Sequence, residues 1–258
     1  MFKVYFRHLD YVLSKNLKKK LFCYYMTKRS TPDIQFRFDG KDYFVVDNFE
    51  KHFFIKERAK RYNYGLKILS ERLARSYGVE KILFESNEII VDVGANVGDF
   101  ALYTRKFHEI EYFGFEPSPQ EFELLSRNLP NNYKIYNKVV SDNNSQIKFY
   151  VSTANADSSI YMPDIIDKEL YLESVRLDSI FTHITLLKID AEGAEMEVIK
   201  GAEKILRDIR YIAVDLGFEK GKNHETTCPD VINYLLGNNF RILRFTPRNC
   251  FLLENNRY

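Results

Sequence analysis

The stretch that most constrains the fold is a short apolar run leading into a turn bracketed by two glycines, Ile89-Ile90-Val91-Asp92-Val93-Gly94-Ala95-Asn96-Val97-Gly98-Asp99-Phe100. Its β-branched residues are typical of a parallel strand that is covered on both faces. The two glycines lack a Cβ, so the backbone can turn tightly and approach a ligand closely there. Beyond the turn, Phe100, Thr104 and Phe107 recur at helical spacing. The pattern predicts a strand–turn–helix unit that binds a nucleotide-like ligand.

The charges around this turn argue against a pyrophosphate ligand. A dinucleotide site is built from Gly-x-Gly-x-x-Gly with helix amides facing phosphate, whereas Asn96 stands where the second glycine would be. Asp92 precedes the turn and Asp99 follows it, where a carboxylate would repel phosphate. S-adenosylmethionine has no phosphate and carries positive sulfonium and ammonium groups. Glu116, which ends the next apolar stretch, is placed to hold both ribose hydroxyls. The turn and this acid together predict an S-adenosylmethionine site.

Size and composition limit the class of protein. A chain of 258 residues can hold one sizeable core and a small accessory region. The net charge of +2 predicts no general affinity for nucleic acid. Cys23, Cys228 and Cys250 are odd in number and widely spaced, which favours neither a disulfide framework nor a cysteine metal site and indicates a cytoplasmic protein. No stretch approaches the roughly eighteen uninterrupted apolar residues of a membrane span.

Residues 1–85 form a predicted accessory region. The first thirty residues are basic, opposed only by Asp10, and carry an approximately helical apolar stripe. The favoured interpretation is a helix packed on the domain or on a second subunit of a homo-oligomer; the alternative is an amphipathic helix on the inner, anionic face of a membrane. Next come a hairpin with Asp39-Gly40 at its turn and a helix over residues 61–77 ended by Gly78. These elements predict a small α+β cap.

Residues 86–258 form the predicted main domain, in which strand and helix patterns alternate. Strands are predicted at residues 89–93, 112–116, 134–140, 185–190, 211–216, 240–245 and 249–253, with helices after the first, second, fourth and fifth. The last two strands are too close for a parallel crossover and should be antiparallel. The α/β pattern predicts a doubly wound, seven-stranded, mostly parallel sheet of the Rossmann-like class I methyltransferase type. Residues 146–151 read as an extra strand and 152–159 as a polar loop that is either functional or disordered.

A second acid-rich feature is Lys188-Ile189-Asp190-Ala191-Glu192-Gly193-Ala194-Glu195. On a strand, Lys188 and Asp190 point to the same side. If this is the fourth strand, its end lies beside that of the first, so Asp190 would stand near the transferable methyl as a base or a positioning group. A purely structural interpretation stays open, in which the acids complement a helix N-terminus and Lys188 neutralises Asp190 as an ion pair.

Few other residues suggest catalysis. His224 lies in the loop after the predicted fifth strand, where a neutral imidazole could take a hydroxyl proton, although a solvent-exposed loop histidine is the favoured interpretation. No spaced set of His, Asp and Glu indicates a metal site, and the chain shows neither a Ser-His-Asp arrangement nor a phosphate loop. The catalytic candidates are therefore Asp190 first, His224 second and Lys188 as a neighbouring polar group.

Four ordered blocks together resemble the FkbM family of S-adenosylmethionine-dependent methyltransferases. The resemblance spans residues 92–216. The blocks are Asp92-Val93-Gly94-Ala95-Asn96-Val97-Gly98-Asp99-Phe100; Phe115-Glu116-Pro117-Ser118-Pro119; Leu177-Asp178-Ser179-Ile180; and Leu187-Lys188-Ile189-Asp190-Ala191-Glu192-Gly193-Ala194-Glu195 with Val198-Ile199-Lys200-Gly201-Ala202.

This resemblance implies O-methylation, because family members act on hydroxyls of sugars in glycans and lipo-oligosaccharides and of polyketide macrolides. The implied acceptor is thus a glycan or small molecule. The resemblance assigns cofactor contacts to the loop and to the residues that follow the second, third and fourth strands: Asp92, Gly94, Ala95, Asn96, Gly98, Phe100, Glu116, Pro117, Ser141, Asp142 and Asp190. Among these, it implies that Ser141 and Asp142 lie near adenine. Many members have a glutamate at the end of the fifth strand, where this chain has Asp215.

Two other classes of function stay open at the level of sequence. An NAD-dependent oxidoreductase uses the same strand–turn–helix unit and the same ribose-binding acid. A non-catalytic binding protein could keep the Rossmann-like fold as a scaffold or as a subunit interface. Bound nicotinamide would identify the first class, and absence of thermal stabilisation by S-adenosylmethionine would favour the second.

Overall fold

A computed structural model describes residues 18–48, 50–152, 158–164 and 166–258. The chain divides into two compact units, Met1–Leu69 and Ser70–Tyr258. Residues 70–85, which the sequence analysis assigned to the accessory region, belong to the second unit. The first seventeen residues of the predicted basic helix and residues 153–157 of the predicted polar loop lie outside the described residues.

The first unit combines one helix with a small antiparallel sheet. Its elements are α1 (Lys19–Lys28), β1 (Ile34–Phe38), β2 (Tyr43–Asp47), β3 (Glu50–Phe54) and a 3-10 helix (Lys56–Tyr62). The predicted hairpin is confirmed, because β1 pairs antiparallel with β2 and Phe38 lies opposite Tyr43. Helix α1 buries Phe22 and Met26, and the edge of the Phe22 ring meets the ring of Tyr43 with centroids 5.2 Å apart.

Helix α2 (Leu66–Ser76) is shorter than the predicted helix over residues 61–77. Its start is fixed by Asp47, whose Oδ2 accepts a hydrogen bond of 2.7 Å from the backbone N–H of Leu66. The preceding residues form the 3-10 helix, whose apolar spacing resembles that of an α-helix over so short a stretch. The helix ends at Ser76. As predicted, Gly78 lies in the turn that ends it, with a φ of 74°, and the N–H of Val79 donates back to Ala74 O.

The second unit is built on one large sheet. Its elements in chain order are β4 (Ile89–Val93), α3 (Ala101–Thr104), β5 (Glu111–Phe115), α4 (Pro119–Asn128), β6 (Lys134–Tyr136), β7 (Val139–Val140), β8 (Gln146–Val151), β9 (Lys168–Val175), β10 (Ile184–Ile189), α5 (Glu195–Gly201), β11 (Ile209–Asp215), α6 (Cys228–Gly237), β12 (Phe240–Phe245) and β13 (Cys250–Asn255), with two further 3-10 helices at Leu177–Ser179 and Glu203–Asp208.

The seven strands follow the order β12-β13-β11-β10-β4-β5-β6, which confirms the predicted doubly wound sheet. Strand β13 is antiparallel to both of its neighbours, as predicted for the final hairpin. Apolar side chains form separate clusters. One includes Val91 and Val198, and the other includes Ile90 and Leu125. The direction of winding reverses between β4 and β10, the kind of position at which open α/β sheets bind ligands.

Two predicted elements need correction, and one strand was not predicted. The strand over residues 134–140 is two strands, because β6 belongs to the large sheet whereas β7 pairs with β9 in a separate three-stranded sheet with the predicted strand β8. Between them, Asn137 Nδ2 donates to the carbonyls of Glu116 and Pro117 at 2.8 and 2.9 Å. Strand β9 was missed because both its faces carry charged residues. Helix α3 ends at Thr104, well before Phe107.

Within the described ranges, no helix combines the length and the apolar character needed to cross a membrane.

Candidate active site

The carboxyl ends of three neighbouring strands meet at the middle of the large sheet. Val93 at the end of β4 lies in register with Phe115 at the end of β5 and with Ile189 at the end of β10. The segments that follow these strands therefore emerge at the same edge. This placement brings the glycine loop, Glu116 and Asp190 together, as the sequence pattern predicts.

The glycine loop is held in place by backbone hydrogen bonds to the neighbouring strand end. The N–H groups of Gly94 and Ala95 both donate to Phe115 O at 3.0 Å. The N–H of Asn96 donates to Glu116 Oε2 at 2.8 Å. Glu116 is buried, and its other oxygen accepts from the N–H of Ser118 at 2.8 Å. The carboxylate therefore fixes the loop as well as being the predicted ribose ligand.

Close packing explains both glycines. Gly94 has a φ of 73°, and a Cβ added there would lie only 1.9 Å from the carbonyl oxygen of Asp190. Gly98 has a φ of 91°, and its Cβ would lie 3.1 Å from the side chains of Leu125 and Leu129. The sequence predicts a tight turn and close approach of a ligand at both glycines. The positive φ values confirm the turn, and the neighbouring atoms add a packing reason.

A buried ion pair lies beneath the loop. Lys188 Nζ is 2.8 Å from Asp92 Oδ1, and the two residues are register partners on adjacent strands. Asp92 has no exposed surface, and its Oδ2 accepts a hydrogen bond of 2.6 Å from the Tyr112 hydroxyl. The Lys188 ammonium also donates to Gly94 O at 2.9 Å. Asp92 and Lys188 thus support the glycine loop from below.

The partner of Lys188 differs from the one that strand alternation suggested. Its ammonium is 3.9 Å from Asp190 Oδ2, which is farther than its contact with Asp92. Burial by itself would lower the pKa of Lys188, but the carboxylates of Asp92 and Asp190 outweigh burial and raise it. Lys188 is therefore a charged, structural residue, only 3% exposed.

Asp190 extends from the end of β10 to the partly exposed surface of the edge. Its Oδ2 accepts a hydrogen bond of 2.6 Å from the hydroxyl of Tyr77, and its side chain retains 24% of its exposure. Tyr77 is buried, and burial followed by the charge of Asp190 raises its pKa well above the usual value, so it stays a donor. Tyr77 and the more distant Lys188 hold Asp190 as an oriented carboxylate.

Asp190 is one of three carboxylates that converge at this edge. Oxygens of Asp190, Glu192 and Glu219 lie within 4.8 Å of one another, a spacing that could hold a metal ion. Burial, followed by the charges of Asp190, Asp215 and Glu195, raises the pKa of Glu219 to about 8. Sequence reasoning missed Glu219 because only folding brings it from the loop after β11 to the end of β10.

Short contacts place the loop that carries Glu219. A Cβ on Gly193 would lie 2.6 Å from the Cα of Lys220, so the two loop backbones touch. Ser159 Oγ donates to Glu192 O at 2.8 Å. Lys220 is also joined to Glu225 by paired backbone hydrogen bonds of 3.0 and 3.2 Å. These contacts fix the backbone of the loops that carry the carboxylate cluster.

Asp215, at the end of β11, borders the cluster. It is buried and lies 3.0 Å from Arg248 Nη2. Burial, followed by the charge of Asp190, raises its pKa.

Glu195 is a second buried acid near this edge. It accepts a hydrogen bond of 2.6 Å from the Thr227 hydroxyl and one of 2.9 Å from the Gly193 N–H. Its pKa is raised mainly by burial. The environment of the edge is strongly acidic.

Other predicted site residues have different surroundings. His224 is exposed, and its Nε2 lies 2.8 Å from Asp164 Oδ2. Phe100 is buried, with its ring edge-on to that of Tyr77 at 5.7 Å. The structure thus gives Phe100 a packing role and His224 a surface hydrogen-bond partner.

The predicted adenine contacts lie in one turn. Ser141 is buried at the end of β7, and its N–H donates to Val175 O at 3.0 Å. Asp142 Oδ1 lies 3.3 Å from Ser141 Oγ and accepts from Asn143 Nδ2 at 2.8 Å. Pro117 follows Glu116, and its carbonyl is held by Asn137. These contacts order the turn, and the adenine assignment stays a prediction.

The acidic side chains at this edge suit a ligand that carries both a positive charge and ribose hydroxyls. The edge offers the carboxylates of Asp190, Glu192 and Glu219, which complement positive charge. Glu116 is a buried carboxylate whose oxygens accept the backbone N–H groups of Asn96 and Ser118, and an acid at this position is the group that hydrogen-bonds a ribose. Both features fit S-adenosylmethionine better than a phosphate-bearing cofactor.

Comparison with known proteins adds an independent finding. The model of a family described as "Methyltransferase FkbM domain" matches residues 92–242 of the chain. The match starts at the buried Asp92 and extends into β12, so it includes the glycine loop, Glu116, Asp190 and Glu219.

Individual proteins are similar over much of the chain. Methyltransferase sdnD of Sordaria araneosa is 27% identical over 221 residues, which cover 69% of this chain and 79% of that protein. The 2-O-methyltransferase NoeI of Sinorhizobium fredii is 24% identical over 61% of this chain and 75% of its own. Hexuronic acid methyltransferase AglP of Haloferax volcanii is 27% identical over 51% of this chain and 57% of its own.

Proposed function

The chain belongs to the methyltransferase FkbM domain family, and on this premise we propose that it moves the methyl group of S-adenosylmethionine to a hydroxyl of a sugar, a glycan or a related polyol or polyketide. The protein is a methyltransferase, and S-adenosylmethionine is its methyl donor. Membership decides against the two other classes that the sequence left open, the NAD-dependent oxidoreductase and the non-catalytic binding protein.

The observation that carries the proposal is the meeting of the glycine loop, Glu116 and Asp190 at the reversal point of the sheet. In our assignment, Glu116 receives the ribose hydroxyls and the backbone of the loop lines the cofactor. The carboxylates of Asp190, Glu192 and Glu219 face the cationic end. When bound, S-adenosylmethionine supplies an electrophilic methyl group on its sulfonium.

The protein's own task is then to orient a hydroxyl and accept its proton. Asp190 already accepts a hydrogen bond from Tyr77, and Lys188 Nζ lies 3.9 Å away, so its side chain is held in one orientation. In our assignment, Asp190 positions the attacking hydroxyl by accepting its hydrogen bond.

Glu219 is better suited to take the proton. Its pKa of about 8 lies close to neutral pH, the range in which a general base works best. It lies beside Asp190, so a hydroxyl bound to Asp190 is within its reach. His224, the second candidate from the sequence, has an exposed carboxylate partner instead. We therefore assign Glu219 as the proton acceptor ahead of His224.

The class of acceptor rests on the relatives. One similar protein is a 2-O-methyltransferase and another a hexuronic acid methyltransferase, so sugar hydroxyls are the class that they support. The acidic edge adds a physical preference, since a carboxylate on the acceptor would be repelled by Asp190 and Glu192 if it lay beside the reacting hydroxyl. We therefore expect the hydroxyl that reacts to sit on a neutral part of the acceptor.

The test supplies the purified protein with S-adenosylmethionine that carries a trideuterated methyl group. Glycan and lipo-oligosaccharide fractions are the acceptors, and mass spectrometry detects label on oxygen. We expect label with the parent protein and with Asp230→Asn, which removes an exposed acid from the start of α6. Asp190→Asn should reduce the rate by roughly 10²-fold, because a misplaced hydroxyl can cost that much. Label found only on nitrogen or carbon acceptors would contradict the proposal.

A further inference from the structure

The small net charge of the chain conceals a strong separation of charge along it. Residues 1–69 contain 16 Lys and Arg against 7 Asp and Glu, which gives a net charge of +9. Residues 70–258 contain 22 basic and 29 acidic residues, which gives −7. This division coincides with the boundary between the two compact units. An anionic partner is therefore attracted to the first unit and repelled by the second.

The helix of the first unit presents the basic residues on its outer side. Phe22, Cys23 and Met26 are buried and form its inner side. The other side includes Lys20, Tyr24 and Lys28, which are spaced four residues apart and therefore share a face. The first acidic residue after the helix is Asp33. This outer face is positive along its whole length.

Two large apolar side chains lie among these lysines. Leu21 is 52% exposed and Tyr24 is 62% exposed. The ammonium of Lys28 lies 5.8 Å from the centre of the Tyr24 ring. A leucine and a tyrosine exposed between lysines form the combination that suits a membrane interface, where the rings and aliphatic stems enter the headgroup layer and the ammonium groups meet phosphates.

We propose that the outer face of α1, defined by Lys20, Leu21, Tyr24 and Lys28, docks this protein onto the surface of an anionic phospholipid bilayer. Charge complementarity selects an anionic partner. A second copy is disfavoured because two such faces would repel each other. A nucleic acid could contact the lysines and stack on Tyr24, but it offers no contact that suits the aliphatic side chain of Leu21. A bilayer interface does bury such a side chain. This docking is independent of the identity of the methyl acceptor.

The test is co-sedimentation of the full chain with vesicles of phosphatidylcholine, with and without phosphatidylglycerol. We expect binding only when phosphatidylglycerol is present, and weaker binding as salt is added. Lys20→Gln with Lys28→Gln should lower the affinity by about 25-fold, since each lysine at such a surface contributes about fivefold. The control is Lys41→Gln with Lys60→Gln, which removes the same charge from the hairpin turn and the 3-10 helix. It should lower the affinity for vesicles much less.

A second pair of variants separates the apolar contribution from the charge. Leu21→Ala with Tyr24→Ala leaves every lysine in place and suits a helix, so α1 should persist by circular dichroism. We expect this variant to bind anionic vesicles more weakly than the parent, with the difference persisting at high salt. Absence of vesicle binding, equal loss in both lysine pairs, or binding to polyuridylate without binding to vesicles would overturn the proposal.

Discussion

At the scale of single residues, the site depends on one buried lysine. Lys188 neutralises Asp92, which has no exposed surface, and holds the carbonyl of Gly94. The sequence places Lys188 and Asp190 on one side of a strand, but it does not reveal that Lys188 pairs more closely with Asp92, because that pairing depends on the register between β10 and β4. The register is a property of the folded sheet.

Replacing Lys188 should destabilise the fold as well as reduce activity. In Lys188→Met the carboxylate of Asp92 stays buried without its positive partner, so we expect a loss of about 3–5 kcal/mol in the free energy of unfolding. Chemical denaturation measures it. The double variant with Asp92→Asn should regain part of the loss, because the unpaired charge is gone. A loss below about 1 kcal/mol in the single variant would show that the pair is not buried as described.

Glu219 should give the protein a distinctive pH dependence. Its pKa is raised to about 8 by burial and by the charges of Asp190, Asp215 and Glu195. Its side chain also forms a hydrogen bond with Glu192. If it accepts the proton, the rate of methyl transfer should rise with pH up to about 8 and then level off. Glu219→Gln should be slow and lack this rise. A parent profile that is flat between pH 6 and 9 would remove Glu219 from this role.

The ionisation of Glu219 also affects the stability of the fold, and in this case a higher pH is unfavourable. Because the folded-state pKa of Glu219 lies above its unfolded value, its contribution is fully present below the unfolded pKa and is lost as pH rises through about 8. In Glu219→Gln, the free energy of unfolding should therefore decline less between the unfolded-state and the folded-state pKa of Glu219. Thermal unfolding of both proteins across this range measures the effect without reference to catalysis.

At the scale of elements, the glycine loop is the part that the sequence predicted best. All seven strands of the large sheet and the antiparallel final hairpin were predictable from apolar runs and from the short connection between the last two strands. The split of residues 134–140 was not, because it depends on Asn137 bonding to the carbonyls after β5. Strand β9 was hidden because both of its faces carry charged residues, Lys168 on one and Glu169 and Glu173 on the other.

The loop also shows where a correct residue was given an incomplete reason. The sequence explains Gly94 by a tight turn and by the approach of a ligand, and the structure adds the carbonyl of Asp190 where its Cβ would be. Gly94→Ala should therefore cost about 2–6 kcal/mol of stability, from a left-handed backbone and from overpacking together. Gly237→Ala is the matched control, since its Cβ would meet no described atom within 4 Å. Equal melting temperatures for the two variants would refute this packing.

At the scale of the whole molecule, the active edge lies where the winding of the sheet reverses. The order of strands places β4 and β10 side by side, so the loop from one and the acid from the other are brought together by topology rather than by proximity in sequence. Glu219 joins them from the loop after β11. The seven-stranded sheet thus positions the glycine loop on one side of the reversal and the acids that we propose to act on the acceptor on the other.

The most direct measurement is calorimetric titration of the protein with S-adenosylhomocysteine. The account predicts binding by the parent protein, and a tenfold or larger loss of affinity in Glu116→Gln, because hydrogen bonds to a charged acceptor contribute about 1.5–3 kcal/mol each. Glu121→Gln, a change of the same kind at a buried acid of α4, should retain affinity if folded. An unchanged affinity in a folded Glu116→Gln protein, or no binding by the parent, would contradict the placement of the cofactor at this edge.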